Sequence, residues 1–161
     1  MMNRRQLAAV VGMALLLISL PGVAASKPDF SGKWTLNLAK SDYGIMQAQA
    51  PQKLERVITQ EGAVLKFTTH QSGARGDITT EMAYTTDGKP STNNTPRGEV
   101  TGTAKWDGNV LVIASKREVN GATITQDERW TLSSDGKTLT IVNKIGMPAG
   151  DTEIRLVLEK Q

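Results

Sequence analysis

The stretch Asp29-Phe30-Ser31-Gly32-Lys33-Trp34-Thr35-Leu36-Asn37-Leu38 decides the fold. A glycine two residues before a tryptophan opens a run in which Trp34, Leu36 and Leu38 alternate with Lys33, Thr35 and Asn37. A period of two marks a strand with one buried face. No later segment carries a sustained helical period, so everything downstream reads as further strands.

Immediately upstream, residues 1–25 have the three parts of a secretory signal: Arg4 and Arg5, an apolar core from Leu7 to Ile18, and the small residues Val23 and Ala25 before Ser26. The apolar core falls short of the ~20 residues that a membrane-spanning helix needs, so a cleaved leader is expected and no stable membrane anchor. The adjacent arginines leave the general and the twin-arginine export routes both open. Residues 26–161 then form one domain, expected in the periplasm or outside the cell.

Cleavage changes the charge argument. The whole chain carries a formal +3, but Arg4 and Arg5 leave with the leader, so the remaining 136 residues hold 17 basic and 16 acidic side chains. Lysines and arginines are scattered singly along strands, which gives nucleic acid no electrostatic footprint. There is no cysteine, so burial and strand pairing alone must hold an exported domain together.

Working outward from Leu38, the segment Ala39 to Gln52 contains Gly44 and Pro51 and reads as a short helix or an Ω-like loop, apolar for a connector because of Tyr43, Ile45 and Met46. KLERVITQ and AVLKFTTHQ flank Glu61-Gly62 as a hairpin, with Leu54 and Ile58, then Leu65 and Phe67, on the apolar faces. DITTEMAYTT sets Ile78, Thr80, Met82 and Tyr84 on one face, and PSTNN follows as a short polar strand or loop. Beyond it, Asp107-Gly108, Asn120-Gly121 and Asp135-Gly136 separate β-rich runs, and these dipeptides suit the positive φ angles of two-residue hairpin turns. The expected fold is all-β, an antiparallel up-and-down meander of roughly eight to ten strands closed into a lipocalin-like barrel, because an open meander would leave two exposed edges.

Phe30-Ser31-Gly32-Lys33-Trp34, the loop after it, the run of hairpins and the charged-aliphatic last strand with Arg155 together resemble the calycins, the lipocalins and fatty-acid-binding proteins. AKWDG and KREVNG are also similar to late strands of fatty-acid-binding proteins. The resemblance implies that Trp34, behind Gly32, closes the barrel floor beneath Arg155. It does not extend to carboxylate recognition: the Arg-x-Tyr pair of the last strand becomes Arg155-Leu156-Val157, and Arg117 sits one residue nearer its turn than the family arginine, a slip that reverses a side chain's face. The connector is too short for the paired helices that cap fatty-acid-binding proteins.

The residues spaced to line an interior are Phe67, Met82, Tyr84, Ile113, Trp130, Ile141 and Leu156, with Tyr43, Ile45 and Met46 at an entrance. They either surround a ligand or fill the barrel. His70 is the only histidine and no Gly-x-Ser-x-Gly elbow exists, so neither a multi-histidine metal site nor a serine triad is supported. No cofactor is implied. Asp127 and Glu128 point to opposite faces of one strand and cannot form a dyad. Arg75-Gly76-Asp77 reads as a turn, and Asn93-Asn94-Thr95 meets the glycosylation rule.

The expected function is binding of a small, mainly aliphatic molecule by a monomer, without enzymatic activity. A second reading is a solid barrel that contacts an envelope protein through residues 90–99 and 146–151, and a third is an enzyme with an acid or an arginine, Arg117 or Arg129, inside the barrel.

Overall fold

A computed structural model describes residues 26–161; the leader, residues 1–25, lies outside the described residues. Ten strands follow in order: β1 (Gly32–Leu36), β2 (Lys53–Glu61), β3 (Val64–Ser72), β4 (Ile78–Thr85), β5 (Ser91–Thr95), β6 (Gly98–Asp107), β7 (Val110–Val119), β8 (Ala122–Leu132), β9 (Thr138–Gly146) and β10 (Thr152–Lys160). The sheet order is β4-β3-β2-β1-β10-β9-β8-β7-β6-β5. Every paired neighbour is antiparallel, and the first strand pairs with the last, which rolls the meander into a nearly closed barrel. At the β7–β8 hairpin Asn120 and Gly121 both take positive φ, 51° and 78°, as a two-residue turn with the right twist demands.

One seam remains. β4 and β5 are consecutive in sequence but stand at opposite ends of the sheet order. The side chain of Asn93 bridges them: the Ala83 amide donates to Asn93 Oδ1 at 2.7 Å, and Asn93 Nδ2 donates to the Ala83 carbonyl at 3.2 Å. A carboxamide has the donor and acceptor of a peptide group, so one side chain replaces one rung of the missing ladder. Asn93 is buried, and with its amide nitrogen committed to the seam it is not presented for glycosylation.

The end of the barrel where β1 begins and β10 finishes is filled with aromatic rings. Phe30, Trp34 and Trp130 are fully buried. Phe30 stacks on Trp106 at 5.8 Å and meets Trp130 edge-on at 5.7 Å, while Phe67 lies 5.1 Å from Trp130. Trp34 Nε1 donates to the Phe30 carbonyl at 2.9 Å, so its one polar atom is satisfied in the core.

Two sequence expectations need correction here, and one alternative is resolved. Leu38 does not continue the first strand: Asn37 Oδ1 accepts from the Lys40 amide and starts a 3-10 turn, Leu38–Lys40, leaving Leu38 exposed. The cation over Trp34 is Lys160, not Arg155. Trp34 pairs directly with Lys160, whose Nζ lies 5.3 Å from the indole centroid, whereas Arg155, five positions away, falls on the opposite face and is exposed. Gly32 permits that arrangement, since a Cβ there would sit 2.7 Å from the Lys160 Cε. PSTNN, left open between strand and loop, supplies β5.

Candidate functional site

Alternation dictates what faces inward. On β2, Leu54, Arg56 and Ile58 share the inner face; on β8, Ile124, Gln126, Glu128 and Trp130; on β9, Ile141, Asn143 and Ile145. Four polar side chains, Arg56, Gln126, Glu128 and Asn143, therefore sit in slots that parity assigns to the core. Above the aromatic floor they help to enclose a cavity of about 740 Å3 that opens among the Gly73–Asp77 turn, Pro96-Arg97, Val119, Met147 and the 3-10 turn Gly44–Gln49.

Arg56 is the deepest charged group. It is buried, its Nε donates to Thr69 Oγ1 at 2.9 Å, and its guanidinium lies 4.9 Å from the Phe67 centroid and 5.2 Å from that of Trp130. Burial pulls its pKa down and the neighbouring Glu128 charge pushes back; an arginine keeps its proton through such a shift. Glu128 Oε2 accepts from Trp130 Nε1 at 2.7 Å. Glu128 and Asn143 are direct neighbours across the β8–β9 ladder. Tyr43 reaches in from the connector, and burial pushes its hydroxyl up to about 12. Burial and then the Glu128 charge raise Tyr84 further, so both tyrosines are neutral donors at physiological pH.

Nearer the mouth stands Arg117, two residues before the end of β7. Burial lowers its pKa first and the charge of Arg97 second. Among the described residues neither Arg97 nor Arg117 forms an ion pair. Four buried side-chain atoms among the described residues lack a hydrogen-bond partner: Tyr43 Oη, Arg56 Nη1, Arg117 Nε and Asn143 Oδ1. All four residues line this one cavity, and a buried polar atom left unpaired costs about 1–3 kcal/mol.

The residues expected from sequence divide into groups. Tyr43, Met46 and Leu156 do line the cavity. Tyr84, Ile113, Trp130 and Ile141 are buried core beneath it, filling the barrel rather than surrounding a space, and Phe67 is buried with them. Met82 belongs with Phe67 and Asn93 to a second hollow of about 480 Å3 beside the β4–β5 seam. Ile45 is 81% exposed and faces solvent, because the 3-10 turn directs its neighbour Met46 to the barrel instead. The structure brings in Arg56, Thr69, Glu128 and Asn143, which were not singled out as ligands. The signal was present in part: Arg56 sits between Leu54 and Ile58 and Asn143 between Ile141 and Ile145 at period two, whereas Thr69 and Glu128 each have an apolar residue on one side only, Phe67 and Trp130.

The face expected for Arg117 is also corrected, as its Nε is buried and the side chain lines the cavity. Arg129 is half-exposed and pairs outward with Asp107 at 2.9 Å. Asp127 and Glu128 do part to opposite faces, exposed and half-buried. His70 is exposed and bonded to Thr79 Oγ1 at 2.8 Å. Among the described residues no cluster of three or more His, Cys, Asp or Glu could hold a metal. The barrel is not solid throughout, so that part of the second reading falls: its lower half is packed and its upper half is hollow.

No protein-family model matches the sequence, and no curated protein matches it significantly. Solved structures do match in fold. A secretory abundant heat soluble (SAHS) protein from Ramazzottius varieornatus superposes with a TM-score of 0.57 at 15% identity, over 81% of this chain and 94% of that one. Fatty-acid-binding protein 1 of Echinococcus granulosus gives 0.55 at 16% identity, over 81% and 96%. The zebrafish ileal bile acid-binding protein complexed with cholic acid gives 0.54 at 19% identity, over 82% and 98%. The chain thus has the architecture of calycin-like β-barrels.

Proposed function

We propose that this protein is an exported monomeric carrier that holds one small amphipathic molecule in the upper half of the barrel. The observation that carries the reading is the convergence of four unpartnered buried polar atoms on one cavity whose lining is part apolar and part polar. Leu54, Ile124, Ile145, Ile154 and Leu156 supply a surface for an apolar body, while Arg56, Tyr43, Asn143 and Arg117 supply hydrogen bonds that a purely aliphatic ligand would leave unmade. The ligand expected from sequence, mainly aliphatic, is therefore given a polar group. The names of two structural neighbours, which refer to fatty acids and bile acids, are in keeping with such a molecule. Export rests on the leader sequence, and a carrier rather than an enzyme is favoured because Glu128, the one carboxylate on an inner strand face among the described residues, is already engaged by an indole N–H.

Displacement of the fluorescent probe N-phenyl-1-naphthylamine, combined with native mass spectrometry of protein taken from its own compartment, tests this. Wild type is expected to bind the probe and retain a ligand. Ile154→Trp, which fills the cavity from β10, is expected to weaken probe binding at least tenfold while leaving the fold intact. Absence of both probe binding and retained ligand would overturn the proposal.

A further inference from the structure

The deep end of the cavity has an electrostatic feature that narrows the ligand class, on the premise that the cavity binds a ligand at all. Arg56 and Glu128 face the same space, and both engage Trp130, the guanidinium over the ring and the carboxylate on the indole N–H. Glu128 is the first charge to offset the burial of Arg56. The other polar groups there, Tyr43, Thr69 and Asn143, are uncharged, as is Tyr84 beside Glu128. At this deep end one positive and one negative charge offset each other, while the further lining arginines, Arg97 and Arg117, act on one another nearer the mouth. The deep end nevertheless offers donors at Arg56 Nη1 and Tyr43 Oη and an acceptor at Asn143 Oδ1, all without partners.

A carboxylate placed among these groups would meet Arg56 favourably but would also bring a second negative charge into the low-dielectric space shared with Glu128, where like charges repel strongly. An ammonium would meet the converse problem at Arg56. A neutral group that both donates and accepts escapes both penalties and pairs the unpaired atoms. We infer that the deep subsite recognises an uncharged donor–acceptor group of the carboxamide or lactam type, and discriminates against a carboxylate there. Specificity of this kind arises from the charge already in the site as much as from the new contacts.

Three ligands of equal chain length test the inference: decanamide, decanoate and decylamine, each displacing N-phenyl-1-naphthylamine at pH 7.5. Decanamide is expected to displace the probe from wild type at a concentration at least tenfold below that of either charged ligand. Since any apolar cavity prefers an uncharged molecule, the variants are decisive. Glu128→Gln leaves Arg56 uncompensated and is expected to strengthen decanoate binding at least tenfold, reversing or abolishing the preference. Asn143→Leu changes no charge and is expected to weaken decanamide at least fivefold with decanoate unchanged; it serves alone if Glu128→Gln does not fold. Equal or tighter binding of decanoate by wild type would overturn the inference, as would a preference that neither variant alters. Those results leave the carrier reading standing, whereas failure of every ligand and of the probe would remove both.

Discussion

Replacing Asn93 by leucine removes the side chain that closes the β4–β5 seam while keeping its approximate volume. Two hydrogen bonds disappear, the 2.7 Å bond from the Ala83 amide and the 3.2 Å bond to its carbonyl. Each is worth about 0.5–1.5 kcal/mol net, and a buried peptide group deprived of its partner costs about 1–3 kcal/mol. The Ala83 groups are only part-buried, so water recovers some of that cost, and a net loss of about 1–3 kcal/mol is expected. Urea unfolding followed by tryptophan fluorescence measures it, and amide exchange at Ala83 should accelerate while exchange at core positions on β8 and β9 keeps its order.

Asn93→Asp makes a sharper comparison. One carboxylate oxygen can still accept from the Ala83 amide, but the other faces the Ala83 carbonyl, so the folded state favours the protonated acid and the folded pKa lies above the unfolded one. The retained stability is then fully present below the unfolded pKa of about 3.9 and is lost as pH rises through the folded value. A loss below 0.5 kcal/mol for Asn93→Leu, or an aspartate variant whose stability relative to wild type does not fall between pH 4 and 7, would refute the view that a side chain stands in for a ladder rung.

Two further outcomes follow from the same geometry. Lys160→Ala removes the cation over Trp34 and should lower stability by about 0.5–1 kcal/mol, whereas Arg155→Ala, exposed on the outer face, should cost less than about 0.5 kcal/mol; thermal melts of the pair check the order. The protein has two tyrosines, both with raised pKa values, Tyr43 at about 12 and Tyr84 higher, so tyrosinate absorbance at pH 11 should be less than about a tenth of that of the unfolded chain. The unfolded chain sheds these protons first, so stability should fall as pH rises above about 10.

The fold was legible because strand signals are local. Alternation within DFSGKWTLNL and Asn-Gly or Asp-Gly between β-rich runs are read within ten residues, and a string of hairpins admits few arrangements other than a meander. The same parity argument put Phe67, Tyr84, Ile113, Trp130 and Ile141 inside. It could not say which inward residues touch ligand, because position along the barrel axis depends on the stagger between strands, and all five came to lie in or below the floor.

What the amino-acid sequence determined by itself was the period of two, the turns and the inward parity of each residue, including the overlooked Arg56, Glu128 and Asn143, since these depend only on near neighbours along the chain. Tertiary structure alone decided which cation covers Trp34, how the seam is bridged and which polar groups share a chamber. Lys160 rather than Arg155 reaches the indole through the β1–β10 register, Asn93 meets Ala83 across an unpaired gap, and Arg56 from β2 faces Glu128 from β8 across the barrel interior. Each of these is a contact between distant parts of the chain, set by strand stagger and closure rather than by any local preference.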